Sequence, residues 1–331
     1  MKIFITTLAM LFSIITYAQE IDVEMEEGED MKEAMATEDQ FKDLKHPEDI
    51  ADAVTDGLSD PRDKAEAIFK WVTNNIAYDM KMYEDFKTGE RDKRKGKRIP
   101  RSKMEEHNAN KVSTALKKKK GICEDYALVF KAIADEANLE TVSIKGWIRN
   151  DPSKLRSTGM KHVWNGVKID GQWLYCDATY ASGFLNNYDE FVFDYEGDSY
   201  FFPNKEQMQY THFAKDTTYK LTPVALTKAE FKVRPLVGKG FFTNQVTNLD
   251  PNQVAINVKR GENITIAFES EGELSNVTVY RPKTDETFKV KHVQVGKRNN
   301  VIIKTKDWRS GAIHILANNE LIAAYKLTVV K

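Results

Sequence analysis

An α+β region followed by an all-β sandwich is the fold class this sequence predicts, and three observations carry it. Apolar residues recur at helical spacing in two stretches, Ala65 to Ile76 and Ala127 to Ala137. Asp170-Gly171 sits between two alternating runs, the pattern of an antiparallel hairpin. From about Pro235 onward, short alternating runs replace helical spacing.

At 331 residues, 41% of them hydrophobic, the chain is long enough for two domains with cores of their own. A formal net charge of −1 speaks against nucleic acid as a partner. The charge is uneven: Glu20 to Asp30 is acidic nearly throughout, Lys87 to Lys103 is dense in Lys and Arg, and Lys117 to Lys120 is an unbroken lysine run. Lys2 followed by the apolar or small stretch Ile3 to Thr16 reads as a secretory signal, too short to span a bilayer. Thr16-Tyr17-Ala18 places small residues for a cut after Ala18, and no cysteine follows to take a lipid. The expectation is a signal peptide over 1–18 and an acidic, Met-rich tail without stable structure over 19–45. The remainder would be exported, periplasmic or extracellular, with no stable membrane insertion after cleavage.

The catalytic-type region is expected over 46–234. Ser59-Asp60-Pro61 starts a helix, with a capping side chain and Pro in the first turn, and Ala65, Ile68, Phe69, Val72 and Ile76 face inward. Gly89, Gly96 and Pro100 break the basic segment, which reads as a solvated loop or, alternatively, a basic lip for an acidic substrate or partner. A second helix runs from Cys123 to about Ala137, and Thr141 to Ile148 reads as a strand. His162 to Ile169, the Asp170-Gly171 turn and Gln172 to Asp177 form the hairpin. Over 235–331 the alternating runs are Val254–Val258, Ile264–Phe268, Val277–Tyr280, Phe288–Val295, Val301–Thr305, Ala312–Leu316 and Leu321–Val330. About seven strands in about ninety residues fit a sandwich of immunoglobulin type.

Three residues in this frame can carry chemistry. Cys123 opens a helix, where unpaired N–H groups and the positive helix end favour a thiolate. A two-residue turn pairs Ile169 with Gln172, and counting back pairs Trp164 with Asp177. Side chains alternate along a strand, so His162 and Trp164 share a face with Asp177 diagonal to His162, roughly 7–8 Å away at the backbone. A His–Asp bond is within reach. Cys123 could meet the ring if its helix lay against that same face. Asn165 and Cys176 fall on the opposite face. Export would permit a disulfide between the two cysteines, but this register turns Cys176 away from the site. Thiol, imidazole and carboxylate are the parts of a nucleophile, its base and the orienter of the base. The backbone N–H of Cys123 would serve a developing oxyanion, with Asn75 or Tyr78 as candidate second donors.

Gly121-Ile122-Cys123-Glu124-Asp125-Tyr126-Ala127, His162-Val163-Trp164-Asn165 and Gly171-Gln172-Trp173 leading to Asp177-Ala178-Thr179-Tyr180 resemble the transglutaminase-like superfamily. Trp71 to Asp79 resembles the helix that precedes that core. The resemblance covers about residues 60 to 185. It implies a papain-like core, a Cys-bearing helix packed on an antiparallel sheet, with Cys123 as nucleophile, His162 as base and acid, and Asp177 as orienter. Trp164, Tyr180, Tyr78 and Asn75 would lie about the substrate groove, Tyr180 standing where many members carry Trp. Tyr200 to Pro203, Thr211-His212-Phe213 and Thr218 to Leu221 resemble the segment after the core in kyphoscoliosis-peptidase-like proteins, which implies a structural place for His212. No acidic cluster of the calcium-binding kind is recognisable, so neither metal nor cofactor is expected.

The expected function is a cysteine acyl-transfer enzyme on a protein or peptide substrate, working through a thioester on peptide or side-chain amides, most simply a peptidase or amidase. The alternatives are a transglutaminase, in which an amine replaces water, and a non-catalytic scaffold. The C-terminal module is a candidate surface for a protein or cell-surface partner. The acidic stretch 20–30 could also cover the basic segments.

Overall fold

The computed structural model describes residues 41, 43–88, 99–155, 157, 159–186, 190–219, 226–306 and 308–330. The expected signal peptide, nearly all of the acidic tail and the middle of the basic segment lie outside the described residues.

Five helices build the first layer: α1 (Pro47–Thr55), α2 (Pro61–Asn75), α3 (Met80–Lys87), α4 (Met104–Lys118) and α5 (Cys123–Glu136). Asp60 caps α2 by accepting from the N–H groups of Arg62 and Asp63, with Pro61 in the first turn. The inward face of α2 buries Ala65, Ile68, Phe69, Trp71 and Val72, and Phe69 meets Phe130 of α5 edge to face at 6.4 Å. Each such ring is worth about 1.5–3 kcal/mol by burial alone.

The lysine run has a structural explanation. Lys117 and Lys118 end α4, where the helix dipole favours cations. Lys119 takes the left-handed cap at φ 51°, lies over the Trp71 ring at 4.4 Å and donates to the Leu44 carbonyl. Helices α1, α3 and α4 are additional to the two expected from the sequence.

A pair of two-residue strands, β1 (Ala77–Tyr78) and β2 (Lys120–Gly121), runs parallel and leads into α5. The central sheet contains β3 (Thr141–Ile148), β4 (Met160–Ile169) and β5 (Gln172–Cys176), and a short strand from later in the chain, His212–Ala214, joins its far edge. All neighbours are antiparallel. The hairpin register is the expected one: Ile169 pairs Gln172 and Asn165 pairs Cys176. Asp170 and Gly171 both have positive φ, 50° and 75°, as a type I′ turn requires.

Helix α5 does not lie on the His162 face. The Ala127 carbonyl accepts from Asn165 Nδ2 at 2.9 Å and from Ser143 Oγ, and Lys145 pairs with Glu124. Those three side chains alternate with His162 and Trp164, so the helix covers the opposite face. The other face is filled by Ile144, Trp164, Tyr175 and Met208. Because β5 stops at Cys176, His162 to Trp164 have no partner on that edge of β4. At this level of the sheet Cys123 and Asp177 reach the ring.

The C-terminal region is a two-sheet sandwich. Before it, β6 (Gly183–Leu185) and β7 (Phe191–Phe193) form a hairpin, and β8 denotes His212–Ala214. One sheet of the sandwich contains Thr247–Asp250, Asn263–Glu269, Arg298–Lys304 and Lys291–Val295. The other contains Ala255–Lys259, Glu320–Val330, Gly311–Ala317, Thr278–Arg281 and Glu286–Lys289, with Leu236–Val237 beside Glu320–Val330. Ile266, Phe268, Val301, Ile315 and Tyr325 are among the residues packed between the sheets. The expected run Phe288–Val295 is divided into two strands that belong to different sheets.

Gly146 of β3 lies between β4 and β8, paired with His162 and Ala214. A Cβ built there would lie 2.1 Å from the Phe213 carbonyl oxygen and 2.6 Å from the Trp164 ring. Gly146→Ala must therefore push β8 or Trp164 outward. The expected cost is about 1–3 kcal/mol, read as a lowered urea midpoint; a midpoint equal to wild type would contradict this packing.

Candidate active site

Cys123 is the first residue of α5 and is half-buried. Its position is fixed from both sides. The backbone of β1 pairs with β2, and Asp79 N–H donates to the Gly121 carbonyl at 2.9 Å. Asp125 turns back to accept from the Ile122 N–H at 3.0 Å. Gly121 permits this close turn, since a Cβ there would stand 2.6 Å from Asp125 Cβ. The Tyr126 hydroxyl donates to the Ile76 carbonyl, which ties α5 to the end of α2.

Glu124, next to the thiol, is not a free carboxylate. Lys111 Nζ bonds Glu124 and lies 3.1 Å from Asp125, and Lys145 lies 3.1 Å from Glu124. Burial alone would push the Glu124 carboxyl up, but the two ammonium groups prevail and hold it at about 2. The negative charge beside Cys123 is thus neutralised within the fold.

The His162 ring is buried, with the Cys123 thiol acting on it from one side. On the other, Nε2 lies 2.6 Å from Asp177 Oδ2, which leaves Nδ1 for the sulfur. Trp164 stacks on the ring with centroids 6.2 Å apart, and Tyr180 meets it edge-on at 5.2 Å. Burial works against the imidazolium, yet the Asp177 charge, the bond to Asp177 and the neighbouring Cys123 raise the pKa to about 10. The ring is built to hold a proton.

Asp177 is completely buried. Its Oδ1 accepts from the Thr179 and Tyr180 N–H groups at 3.1 and 3.4 Å, capping the short helix Ala178–Ala181. Its Oδ2 receives His162 and also His212, whose Nε2 lies 3.0 Å away. Burial would raise the carboxyl, but the two imidazoles bring it below the usual carboxylate range.

The thiol and the ring open onto a cavity of about 490 Å³ lined also by Tyr78, Tyr180, Tyr83, Met160, Phe184 and Leu185. Tyr78 keeps its phenolic proton, because burial and then the neighbouring Cys123 push its pKa up. It sits opposite Gly121 in the β1–β2 pair.

Of the residues expected about the groove, Tyr78 and Tyr180 line this cavity. Trp164 does not: it is 1% exposed and packed among Ile144, Tyr175 and Met208. Asn75 does not either, because its amide turns back to its own helix and donates to the Trp71 carbonyl at 2.9 Å. Cys176 is buried, and neither it nor the half-buried Cys123 is in a disulfide. His212 is the residue that sequence reasoning set apart from the site. It arrives through β8, which pairs His212 with Ile148 of β3, and no local pattern announces that pairing.

His162, Asp177 and His212 each offer one ligand atom within 4.8 Å of the others. The carboxylate oxygen itself stands at hydrogen-bond distance from both rings, so the point of convergence is filled by two N–H bonds.

Residues 48–178 match the family model of the transglutaminase-like superfamily. The kyphoscoliosis peptidase of Mus musculus is 22% identical over 225 residues, which cover 67% of this chain and 31% of that protein. The Lim and transglutaminase domain protein ltd-1 of Caenorhabditis elegans is 23% identical over 225 residues, 61% of this chain and 27% of that protein. The chain thus spans less than a third of either relative. A solved structure described as a TGase is 15% identical, covers 50% of this chain and 36% of its own, and superposes with a TM-score of 0.27, at which the likeness adds nothing to the geometry. The segment that carries Cys123, His162 and the chain up to Asp177-Ala178 accordingly belongs to the transglutaminase-like superfamily.

Proposed function

We propose that this chain is an exported cysteine-nucleophile acyl-transfer enzyme, acting on peptide or side-chain amides of a protein substrate through a thioester, with water as the usual acceptor. One observation carries the reading: Cys123 and His162 open onto a single cavity while Asp177 stands buried behind the ring. In this reading the C-terminal sandwich is an immunoglobulin-type module that offers a surface to a protein or cell-surface partner.

At rest His162 Nδ1 already holds the Cys123 proton, and the thiolate sulfur bonds to the amide carbon. The carbonyl π pair moves to oxygen, where the Cys123 N–H, free at the first position of α5, and the Tyr78 hydroxyl donate. Collapse of this intermediate breaks the C–N bond, and His162 passes its proton to the departing amine. The thioester is then attacked by water, whose proton His162 accepts. The acid leaves as the thiolate is expelled beside the charged His162 ring, which keeps that proton. Asp177 keeps the ring oriented and stabilises its charge throughout.

The preference for water rests on the lining of the cavity, where Asn150, Lys154, Lys161, Asp194 and Glu196 stand among apolar side chains. A dry channel for a lysine acceptor would be lined differently.

Iodoacetamide is expected to alkylate Cys123 and spare the buried Cys176, with His162→Ala slowing labelling at neutral pH by at least about 10-fold. Peptide mapping checks both; equal labelling of the variant and the wild type would favour the scaffold reading. Peptide mixtures incubated with and without a primary amine should yield free acids in either case. Amine adducts without cleavage would assign the transglutaminase alternative instead. Mass spectrometry of protein recovered from an exporting host should find Gln19 as the first residue, and an intact Met1 would contradict export by this segment.

A further inference from the structure

The Asp177 carboxylate holds two imidazoles, and the proposed reaction uses only one. His212 is 1% exposed. Its Nε2 lies 3.0 Å from Asp177 Oδ2, and its Nδ1 lies 2.8 Å from Thr211 Oγ1. A carboxylate only accepts, so Nε2 bears the proton. Burial first, and the nearby His162 charge last, lower the His212 pKa against the pull of Asp177. A neutral ring with Nε2–H has an unprotonated Nδ1, which accepts from the Thr211 hydroxyl when that hydroxyl turns from the Met208 carbonyl, 3.1 Å away. In that rotamer threonine favours the tautomer that faces the acid.

The ring is not interchangeable with apolar filling. It meets Trp164 edge-on at 5.0 Å and stands 6.0 Å from the His162 ring, so its packing shape could be met by a leucine. Its N–H could not. Without that donor, Oδ2 would direct its whole charge at His162.

We propose that His212 is a positioning residue, which holds Asp177 in its rotamer and draws off part of the carboxylate charge so that His162 releases its proton more readily. This rests on the Cys123–His162–Asp177 reading above. The benefit is to the later steps. An imidazolium gripped too tightly is a poor acid toward the departing amine, and general acid–base catalysis is most efficient when the pKa lies near the working pH. The other titratable groups that face the three residues are Cys123, Cys176, Tyr78, Tyr126, Tyr180 and Tyr200. Burial raises Cys176 and each of the four phenols, so they stay uncharged while His162 titrates.

Alkylation of Cys123 by iodoacetate across the pH range tests this without a known substrate. The anionic reagent is drawn to a thiolate beside a charged imidazole, and its rate falls as His162 loses its proton. Removing one donor from Asp177 strengthens its hold on the imidazolium, so the falling limb moves to higher pH. In His212→Leu the shift should be about one pH unit. Thr211→Val should shift it less, in the same direction. His212→Gln keeps an N–H where Nε2 stands and should restore the wild-type limb. An unmoved limb in folded His212→Leu, or an equal shift in His212→Gln, would overturn the assignment. Should His212→Leu fail to fold by circular dichroism, Thr211→Val decides: a shift supports the role and an unmoved limb removes it. If the wild type shows no limb that His162→Ala abolishes, the triad reading itself fails. A wild-type limb with unshifted variants removes His212 alone.

Discussion

A carboxylate with no exposed surface organises this molecule. Leaving such a charge unpaired inside a protein costs several kcal/mol, so Asp177 at the end of β5 forces other segments to supply donors. The helix Ala178–Ala181 gives two backbone N–H groups, β4 gives His162 and β8 gives His212. Four donors on two oxygens leave the carboxylate little freedom to rotate. Its first role is therefore architectural. It binds the returning strand of the hairpin to a strand that arrives some thirty-five residues later, and only then does it orient a base.

The neutralised surroundings of Cys123 follow the same logic. Glu124 and Asp125 would place negative charge at the positive end of α5, beside a sulfur that the proposed mechanism makes anionic. Lys111 and Lys145 absorb the Glu124 charge, and Asp125 is divided between Lys111 and the Ile122 N–H. The helix end is thereby left to act on Cys123. Lys111 is 8% exposed, which is tolerable for an ammonium only because two carboxylates meet it.

The parts that were legible in the sequence are those fixed by short-range rules. Asp170-Gly171 dictates a turn with positive φ at both positions, the turn fixes the register, and the register places His162 and Asp177 on one side of the hairpin. Helix α5 could be read from its period. Its side of the sheet could not, because Ser143, Lys145 and Asn165 look like an outward polar face, whereas they bond the helix. Trp164 illustrates the converse. An aromatic two residues from a base suggests a groove, but the face it shares with Ile144 and Tyr175 is closed over by Met208, a contact from forty-four residues away in sequence. His212 was hidden for the same reason: three-residue β8 has no period long enough to read.

The C-terminal sandwich bears on the site through β8. Residues from Asp43 onward form one compact unit, and the joints are specific. Gln207, five residues before His212, donates to the carbonyls of Phe241 and Val246. Tyr210 belongs to the core of the sandwich. Arg149, beside the β3 end that pairs with β8, donates to the carbonyls of Phe231 and Arg234, and its own N–H is bonded to the Thr211 carbonyl. A buried guanidinium that bonds carbonyls rather than a carboxylate is an expensive way to join two regions, and burial lowers its pKa to about 10. That expense fixes the segment from which Thr211 and His212 reach Asp177. The sandwich, whatever surface it offers elsewhere, is part of the scaffold that holds the second imidazole against the acid.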